Sequence, residues 1–281
     1  MLKIIGDRPV IFKTEDMNEI KHCALITGAT SGIGYELAKL FAKDGFNLIL
    51  VARDESELIK TAQLLGQEGI EVATISKDLF DPNAALEVYK EVSAKGFQVD
   101  VLVNDAGQGV YGKFIETDLA RELNIIQLNI SSLVVLTKLF VQEMVARKAG
   151  KILNLASIAG KTPGPYQAVY HGTKAFVHSF NEAVRTEIQD TGVTLTSLLP
   201  GATDTDFFNK ADMLDSKVVR EGELADPAQV AKDGYEALMK GKDMVVSGFK
   251  NKVQVALGNI TPDHLQAEQM EKVQAPVKEN K

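Results

Sequence analysis

Two side chains with useful chemistry, Tyr170 and Lys174, stand four residues apart in a segment of helical character. Positions i and i+4 share one face of a helix, so the lysine ammonium can lie beside the tyrosine phenol. A phenol titrates near pH ~10 in water, and a neighbouring cation stabilises its phenolate. At about 4 Å and an effective dielectric constant of about 20, one charge pair is worth up to ~4 kcal/mol, or roughly three pKa units. We therefore expect the pKa of Tyr170 to be lowered toward neutral pH, where the side chain can act as a general acid or base.

A glycine-rich run, residues 27–34, lies far upstream of this pair and contains Gly28, Gly32 and Gly34. The run follows an apolar segment of strand length and opens a segment with helical periodicity. Glycines at such a turn allow a pyrophosphate to approach the backbone, and the free N–H groups of the helix N-terminus favour its negative charge. The spacing differs from the familiar Gly-x-Gly-x-x-Gly, and a tight turn without a ligand is the alternative. In this context the run predicts a dinucleotide site.

The end of the second predicted strand bears on which dinucleotide is bound. A carboxylate at that point selects NAD, whereas an arginine accommodates NADP. Here the strand ends in Ala52 and is followed by Arg53 and Asp54. Because a guanidinium can grip a phosphate with two hydrogen bonds, we expect NADP, with NAD less favoured. The alternative is that Arg53 is a solvated surface residue and Asp54 caps the next helix.

Short apolar runs alternate along the chain with amphipathic stretches of helical length, which is typical of parallel strands joined by crossover helices. The predicted strands are residues 23–27, 47–52, 71–75, 99–103, 150–155, 193–199 and 244–247. The predicted helices are residues 32–44, 54–68, 82–95, 116–147, 168–190 and 227–240. We therefore predict an α/β fold: a Rossmann-like, doubly wound parallel sheet of about seven strands with helices on both faces, in a single domain.

The predicted domain organisation has three parts. Residues 1–20 form an N-terminal extension, 21–258 the dinucleotide-binding catalytic domain, and 259–281 a polar C-terminal tail rich in Lys, Glu and Gln. No proline-rich or serine-rich linker divides the middle, so one domain is the simpler interpretation.

Composition limits the partners and the compartment. The net charge is −7 and no run of Lys or Arg interrupts it, so we expect no nucleic-acid partner. The single cysteine, Cys23, fits a reducing compartment. No apolar run approaches the ~18 residues of a membrane span, and the start of the chain is too polar for a secretory signal. We expect a cytoplasmic protein without a membrane partner. The four histidines lack ligand spacing, so we expect no metal.

Taken in order, these motifs resemble those of the short-chain dehydrogenase/reductase superfamily, in its single-domain branch. The resemblance covers about residues 21–250, and the chain looks most like bacterial reductases labelled ketoacyl reductases. The features that carry it are residues 27–34, residues 104–107, Asn129, Ser157, Tyr170 with Lys174, and Pro200 with Gly201.

The resemblance implies a role for each of four catalytic residues. Tyr170 is the general acid in reduction and the general base in the reverse reaction. Ser157 hydrogen-bonds the substrate oxygen as charge develops on it. Lys174 tunes the tyrosine and bonds the nicotinamide ribose, and Asn129 holds a water molecule that extends a proton relay from Lys174.

The resemblance also implies a set of cofactor contacts. Its members are Gly28, Thr30, Ser31, Gly32, Ile33, Gly34, Arg53, Asp78, Leu79, Asn104, Ala106, Gly107, Tyr170, Lys174, Pro200, Gly201, Thr203 and Thr205. Asp78 would accept a hydrogen bond from the adenine amino group. Two positions depart from the family pattern: Asp105 replaces the second residue of Asn-Asn-Ala-Gly, and Thr203 replaces the valine of Pro-Gly-x-Val-x-Thr.

The function implied is an NADP(H)-dependent oxidoreductase that interconverts a carbonyl and a secondary alcohol, as a homodimer or homotetramer. A 3-oxoacyl or other apolar ketone is the expected substrate, since residues 206–223 carry Phe207 and Phe208 in a polar loop. This segment is either an apolar lid over the pocket or ordinary packing. Two other functions stay open: an epimerase or dehydratase that uses the same Tyr–Lys pair, and a non-catalytic NADP-binding sensor.

Overall fold

The computed structural model of the protein describes residues 21–277 and two short strands before them, β1 (Leu2–Ile4) and β2 (Pro9–Ile11). These two strands pair antiparallel. Most of the predicted N-terminal extension lies outside the described residues, as do residues 278–281.

Seven parallel strands form the central sheet, as predicted. They are β3 (Cys23–Thr27), β4 (Asn47–Ala52), β5 (Val72–Ser76), β6 (Val101–Asn104), β7 (Gly150–Leu155), β8 (Val193–Leu199) and β9 (Met244–Val246). Their order is β5-β4-β3-β6-β7-β8-β9, and every neighbouring pair is parallel. The order reverses between β3 and β6, so a crevice opens beyond the carboxyl ends of these strands, where such sheets bind ligands.

Helices cover both faces of this sheet. The helices are α1 (Gly32–Lys43), α2 (Glu55–Leu65), α3 (Ala84–Ala94), α4 (Leu119–Ile126), α5 (Leu133–Ala146), α6 (Ala168–Ile188), α7 (Phe207–Lys210), α8 (Lys217–Arg220), α9 (Pro227–Met239), α10 (Phe249–Gly258) and α11 (Asp263–Gln274). Alternate residues of β3 point to opposite faces. Ile26 packs with Phe41 of α1, whereas Leu25 packs with Phe140 of α5, and all four are fully buried or nearly so. The predicted Rossmann-like α/β fold is confirmed.

The long helix predicted over 116–147 is interrupted in the structure. A π-helical segment, Gln127–Ser132, separates α4 from α5. The combined span, Leu119–Ala146, is 28 residues long with a hydropathy of 1.5 in its most apolar window, long and apolar enough to cross a membrane. Half of that window is buried, and α5 packs against α3 and β7. This is the position of a core helix.

The C-terminal segment, described from sequence only as a polar tail, contains helix α11 and folds back onto the domain. Pro276 forms a bridge with Ser216, and the N–H of Val277 donates to the carbonyl of Asp215 at 2.8 Å. The Lys217 N–H likewise donates to the Ala275 carbonyl at 3.0 Å. The segment has few apolar residues, so its sequence pattern does not reveal that the helix docks.

Candidate active site

Helix α6 brings the tyrosine and the lysine to the carboxyl edge of the sheet. The Lys174 ammonium donates to the carbonyl of Leu155, the last residue of β7, at 2.8 Å. Its Nζ lies 5.8 Å from the centroid of the Tyr170 ring. The two side chains therefore share one helix face, as their spacing predicts.

The expected lowering of the Tyr170 pKa is wrong for this structure. Burial raises the pKa of Tyr170 to about 12, and a hydrogen bond with Ser157 opposes the rise. Burial also lowers the pKa of Lys174 to about 8, against the field of Asp105. The ammonium bonds a main-chain carbonyl, so its charge is not directed at the phenol oxygen. Removal from water outweighs the pairwise attraction, which spacing alone does not reveal.

Ser157 follows β7 and begins a short 3₁₀ turn, Ile158–Lys161. Its hydroxyl accepts from the Ala159 N–H at 3.1 Å and donates to the Pro200 carbonyl at 3.3 Å. These bonds hold the side chain at the end of the sheet, within reach of Tyr170. The hydroxyls of Ser157 and Tyr170 can therefore both reach one substrate oxygen.

Asn129 lies in the π-helical segment, a form of backbone often found at functional sites. Its Nδ2 donates to the Gln108 carbonyl at 2.9 Å and to the Thr173 hydroxyl at 3.0 Å, and its Oδ1 accepts from the Gln108 N–H at 3.1 Å. A Cβ on Gly107 would lie 3.3 Å from the Asn129 Oδ1 and 3.4 Å from the Lys174 Nζ. Asn129 therefore faces the same small space as the lysine.

The glycine-rich loop is packed too tightly for side chains. Gly28 and Gly32 have φ values of 71° and 56°, which favour glycine. A Cβ on Gly34 would lie 2.6 Å from the Gly28 carbonyl oxygen, and one on Gly32 would lie 2.9 Å from the Thr205 Cγ2. The loop thus brings its main chain against the start of α1 and the segment after β8.

A cleft of about 1070 Å³ runs along the carboxyl edge of the sheet. Its lining includes, of the predicted residues, Gly28, Thr30, Ser31, Gly32, Ile33, Arg53, Asp78, Leu79, Ala106, Gly107, Ser157, Tyr170, Lys174, Pro200, Gly201, Thr203 and Thr205. Gly34, Asn104 and Asn129 lie behind it. Asn104 is buried and donates to Thr137 and Asn154, so its side chain joins neighbouring elements rather than facing the cleft.

The residues of the cleft fit a dinucleotide. At the start of α1, Ser31 makes no side-chain capping bond and the first turn carries no acid, so the helix N-terminus is available to a diphosphate. A Cβ at Gly28 or Gly34 would collide with Asp105 or with the loop itself, so only glycine lets the main chain form this cradle. At the far end, the Arg53 guanidinium lies over the Phe80 ring at 5.7 Å from its centroid. Asp54 caps α2 through the N–H groups of Ser56 and Glu57, so it is occupied elsewhere.

The other end of the cleft is apolar. The Phe207 ring lies 5.0 Å from the Tyr170 ring, while Phe208 and Met213 are buried in a small cluster beneath α7 and α8. Both expectations for this loop therefore hold in part, since the Phe207 ring faces Tyr170 and the Phe208 ring packs inside the loop.

Helix α11 closes this end of the cleft, a feature missed by sequence reasoning. The Nδ1 of His171 lies 2.7 Å from the Thr162 carbonyl, so it carries the proton and Nε2 accepts from the Gln274 amide at 2.9 Å. Burial lowers the pKa of His171, which keeps the ring neutral. The Tyr111 hydroxyl donates to the Gln274 carbonyl at 2.6 Å. His171 is therefore a structural link between α6 and the C-terminal helix.

Residues 22–214 match the family model described as short chain dehydrogenase. The chain belongs to the short-chain dehydrogenase/reductase family. It is therefore an oxidoreductase of a family that acts on alcohols and carbonyl compounds.

Relatives in this family bear names of reductases. The chain is 38% identical over 185 residues to sulfoacetaldehyde reductase 2 of Chromohalobacter salexigens, covering 65% of this chain and 73% of that protein. It is 36% identical over 178 residues to a very-long-chain 3-oxoacyl-CoA reductase of Laccaria bicolor, covering 62% and 53%. A solved short-chain dehydrogenase from Sphingobium yanoikuyae, in complex with NADPH, has a TM-score of 0.76 and 25% identity, covering 88% of this chain and 99% of that one.

Some functional candidates of this short-chain dehydrogenase/reductase were missed from sequence. Lys77 and Phe80 line the cleft beside Arg53, and the basic residue directly after β5 was a usable signal for Lys77. Thr27 accepts from the N–H groups of Asp105 and Ala106 at 3.1 Å each, and so orients the segment after β6. Within residues 21–277, no group of three or more His, Cys, Asp or Glu side chains could hold a metal.

Proposed function

We propose that the protein is an NADP(H)-dependent reductase that interconverts a ketone and a secondary alcohol, with Tyr170 as the group that donates or accepts the proton. One observation carries the proposal. Tyr170 and Ser157 line one cleft together with the glycine loop at the N-terminus of α1, and Ser157 is close enough to oppose the rise in the Tyr170 pKa.

When bound, the nicotinamide supplies or takes up the hydride at the substrate carbon. In the reducing direction, the Tyr170 hydroxyl gives its proton to the substrate oxygen. Because the pKa of Tyr170 is raised to about 12, the phenol is fully protonated at neutral pH and ready to donate. The Ser157 hydroxyl, which donates to the Pro200 carbonyl when no substrate is bound, turns to donate a second hydrogen bond to the same oxygen and stabilises the charge that develops there.

Lys174 and Asn129 support this transfer. Burial lowers the pKa of Lys174 to about 8, so the ammonium can release a proton close to neutral pH and recover it. The Asn129 side chain lies across Gly107 from the ammonium and bonds the Gln108 main chain. We propose that a water molecule held there returns the proton to Lys174, and that the ammonium also bonds the nicotinamide ribose.

The preference for NADP rests on the cations at the adenine end of the cleft. The guanidinium of Arg53 is positioned over Phe80, and Lys77 lines the same region. No acid occupies the end of β4, and Asp54 is engaged as a helix cap. A 2′-phosphate would therefore meet positive charge, so NADP is favoured over NAD.

The proposed substrate is a 3-oxoacyl compound or another ketone with apolar groups, since Phe207 faces Tyr170. The name of the fungal relative, a very-long-chain 3-oxoacyl-CoA reductase, supports this class. We propose further that the protein acts in the cytoplasm as a homodimer or homotetramer. Phe176 of α6 is 40% exposed, which suits burial against a second copy.

The test is a Tyr170→Phe variant assayed against a panel of ketones, oxoacyl thioesters and alcohols, with each cofactor in turn. Absorbance at the nicotinamide band reports turnover, and cofactor fluorescence reports binding. We expect the wild type to turn over with NADPH, and the variant to lose about 10²- to 10⁴-fold in kcat while it binds NADPH equally well. Tyr35→Phe, a change on the partly exposed part of α1, is the matched control.

Equal activity in Tyr170→Phe and wild type would refute the mechanism. NADPH binding without turnover of any compound in the panel would instead favour a sensor. Turnover by elimination or epimerisation, with no net cofactor change, would favour an epimerase or dehydratase.

A further inference from the structure

Asp105 is an acid placed directly under the glycine-rich loop. A Cβ on Gly34 would lie 2.5 Å from the Asp105 Oδ2, and one on Gly28 would lie 2.9 Å from it. The main chain of Asp105 is fixed by its bond to the Thr27 hydroxyl at 3.1 Å. Oδ1 is buried and has no hydrogen-bond partner among the described residues. The carboxyl group therefore lies against the glycine-rich loop, and Asp105 is itself among the residues that line the cleft.

The same carboxyl group lies behind the N-terminus of helix α1, close to Gly34. The N–H of Gly34, in the first turn of α1, is close enough to Asp105 to oppose the rise in the pKa of its carboxyl group. Ser31 makes no side-chain cap, and the first turn contains no acid. Asp105, which directly follows β6, can thus supply the anion that a helix N-terminus favours. A dinucleotide diphosphate would use the same helix end from the cleft side.

The other charged groups around Asp105 compensate its charge only in part. On α6, Lys174 is the cation whose field reaches it, but the ammonium bonds Leu155 and forms no ion pair with Asp105 within 4 Å. On α1, Glu36 is paired with Lys39 at 2.6 Å. The loop itself, residues 27–32, carries no charged side chain. A diphosphate would therefore add negative charge next to a carboxylate that is only partly compensated, by the field of Lys174.

We propose that Asp105 takes up a proton when the dinucleotide binds, so that the cofactor affinity of this chain falls as the pH rises above neutrality. The inference rests on the proposed function only in that NADP(H) must occupy this cleft. A protonated Asp105 carries no net charge and can donate through its O–H, much as the neutral asparagine at this position in the family pattern can donate through its N–H groups. The ionised form is repelled by the diphosphate.

The titration range of Asp105 agrees with this geometry. Burial raises the pKa of Asp105 to about 7, and the field of Lys174 and the Gly34 N–H oppose the rise. A nearby diphosphate raises the pKa further. At a pH between the pKa of Asp105 in the free protein and its pKa in the complex, binding of the dinucleotide takes up as much as one proton. Each unit of difference between them changes the affinity about tenfold.

The experiment is calorimetric titration of NADP⁺ into the whole protein, from pH 6.5 to 8.5, in two buffers that differ in ionisation enthalpy. We expect the wild type to take up part of a proton per dinucleotide bound, and its Kd to rise up to about tenfold across this range. Asp105→Asn is the matched variant, because it keeps the shape and removes the charge. The Kd of the variant for NADP⁺ should depend less on pH than that of the wild type, and the variant should bind NADP⁺ more tightly than the wild type at pH 8.5. The 2′-phosphate titrates in both proteins, so their difference isolates residue 105.

A second measurement needs no variant. 2′-AMP carries the 2′-phosphate without the diphosphate, so its binding to the wild type should take up less proton than NADP⁺ does. Equal proton uptake by wild type and Asp105→Asn, or equal uptake with 2′-AMP and NADP⁺, would overturn the inference. No NADP⁺ binding at any pH would instead overturn the proposed function.

Discussion

Tyr170, Lys174 and Asp105 have pKa values shifted by burial, each toward its neutral form. The phenol keeps its proton, whereas the amine and the carboxyl group both titrate near neutral pH. Because the last two lie in each other's field, loss of one charge favours loss of the other. With no substrate bound, the groups of this site that exchange protons with solvent near neutral pH are therefore Lys174 and Asp105, while Tyr170 stays protonated.

Asp105→Asn should change how stability depends on pH. The folded pKa of Asp105 is raised from 3.8 to about 7, so the unfolded chain ionises first as the pH rises. The wild type is therefore at its most stable, as far as Asp105 is concerned, below pH ~4, and it loses this stability by pH ~7. At ~1.36 kcal/mol per pKa unit, the loss amounts to up to ~4 kcal/mol. The free energy of unfolding of the variant, relative to that of the wild type, should therefore rise between pH ~4 and pH ~7 and stay constant above that range.

Urea unfolding of both proteins at pH 5, 6, 7 and 8 measures this difference. Asp44→Asn does not serve as a control, since Asp44 accepts from Tyr235; Asp118→Asn, at the α4 cap, keeps an acceptor and is suitable. Parallel stability curves for wild type and Asp105→Asn would show that the carboxyl group titrates as in water.

At the scale of elements, the segment after α10 completes the substrate end of the cleft. Helix α11 delivers Gln274 to His171, next to the proposed catalytic tyrosine, and the chain then pairs with the loop before α8. None of the described contacts of this segment is to the glycine-rich loop. We therefore expect it to affect the substrate and not the cofactor.

Gln274→Leu tests that expectation. Loss of its amide bond to the buried His171 leaves an acceptor unsatisfied, at a cost of about 1 to 2 kcal/mol. We expect the KM for a ketone substrate to rise about five- to tenfold, with NADPH affinity unchanged in a fluorescence titration. Gln269→Leu is the control, because Gln269 is exposed on the same helix. An equal rise in KM for ketone and NADPH would contradict a role confined to the substrate.

Sequence predicted the strands within one or two residues, because buried parallel strands are continuous apolar runs. It did not predict the break between α4 and α5. The π-helical segment around Asn129 keeps the apolar spacing of its neighbours, so periodicity does not show it. Nor did it predict the direction of the Tyr170 pKa, since burial depends on which elements cover a side chain. The residues of the cleft were predictable as motifs, whereas Gln274 reaches the site only through tertiary contacts.

At the scale of the whole molecule, the sheet order places every proposed catalytic side chain at one edge and leaves α6 partly uncovered. Phe176 and Phe180 of α6 stack with their ring centroids 5.8 Å apart, and Phe176 is 40% exposed. Phe176 is two residues from Lys174 and so lies on the opposite side of α6, and neither Phe176 nor Phe180 lines the cleft. An assembly through α6 would therefore leave the cleft open.

Phe176→Asp should separate the copies if α6 forms the interface. A charge buried in an apolar interface without a partner is strongly unfavourable. We expect sedimentation velocity to show the wild type as a dimer or tetramer and the variant shifted toward monomer. Leu64→Asp, an exposed apolar residue on α2, is the control. A wild type that sediments as a monomer at all concentrations would contradict the proposed assembly.

The docking of the last described residues against Ser216 and His171 has a consequence for synthesis. The strands, the glycine turn and the Tyr–Lys helix are all made before α11 leaves the ribosome. A nascent chain can therefore form the proposed dinucleotide site before α11 closes the other end of the cleft. Under the proposed function, a polypeptide terminated before α11 would hold the dinucleotide but discriminate poorly between ketones.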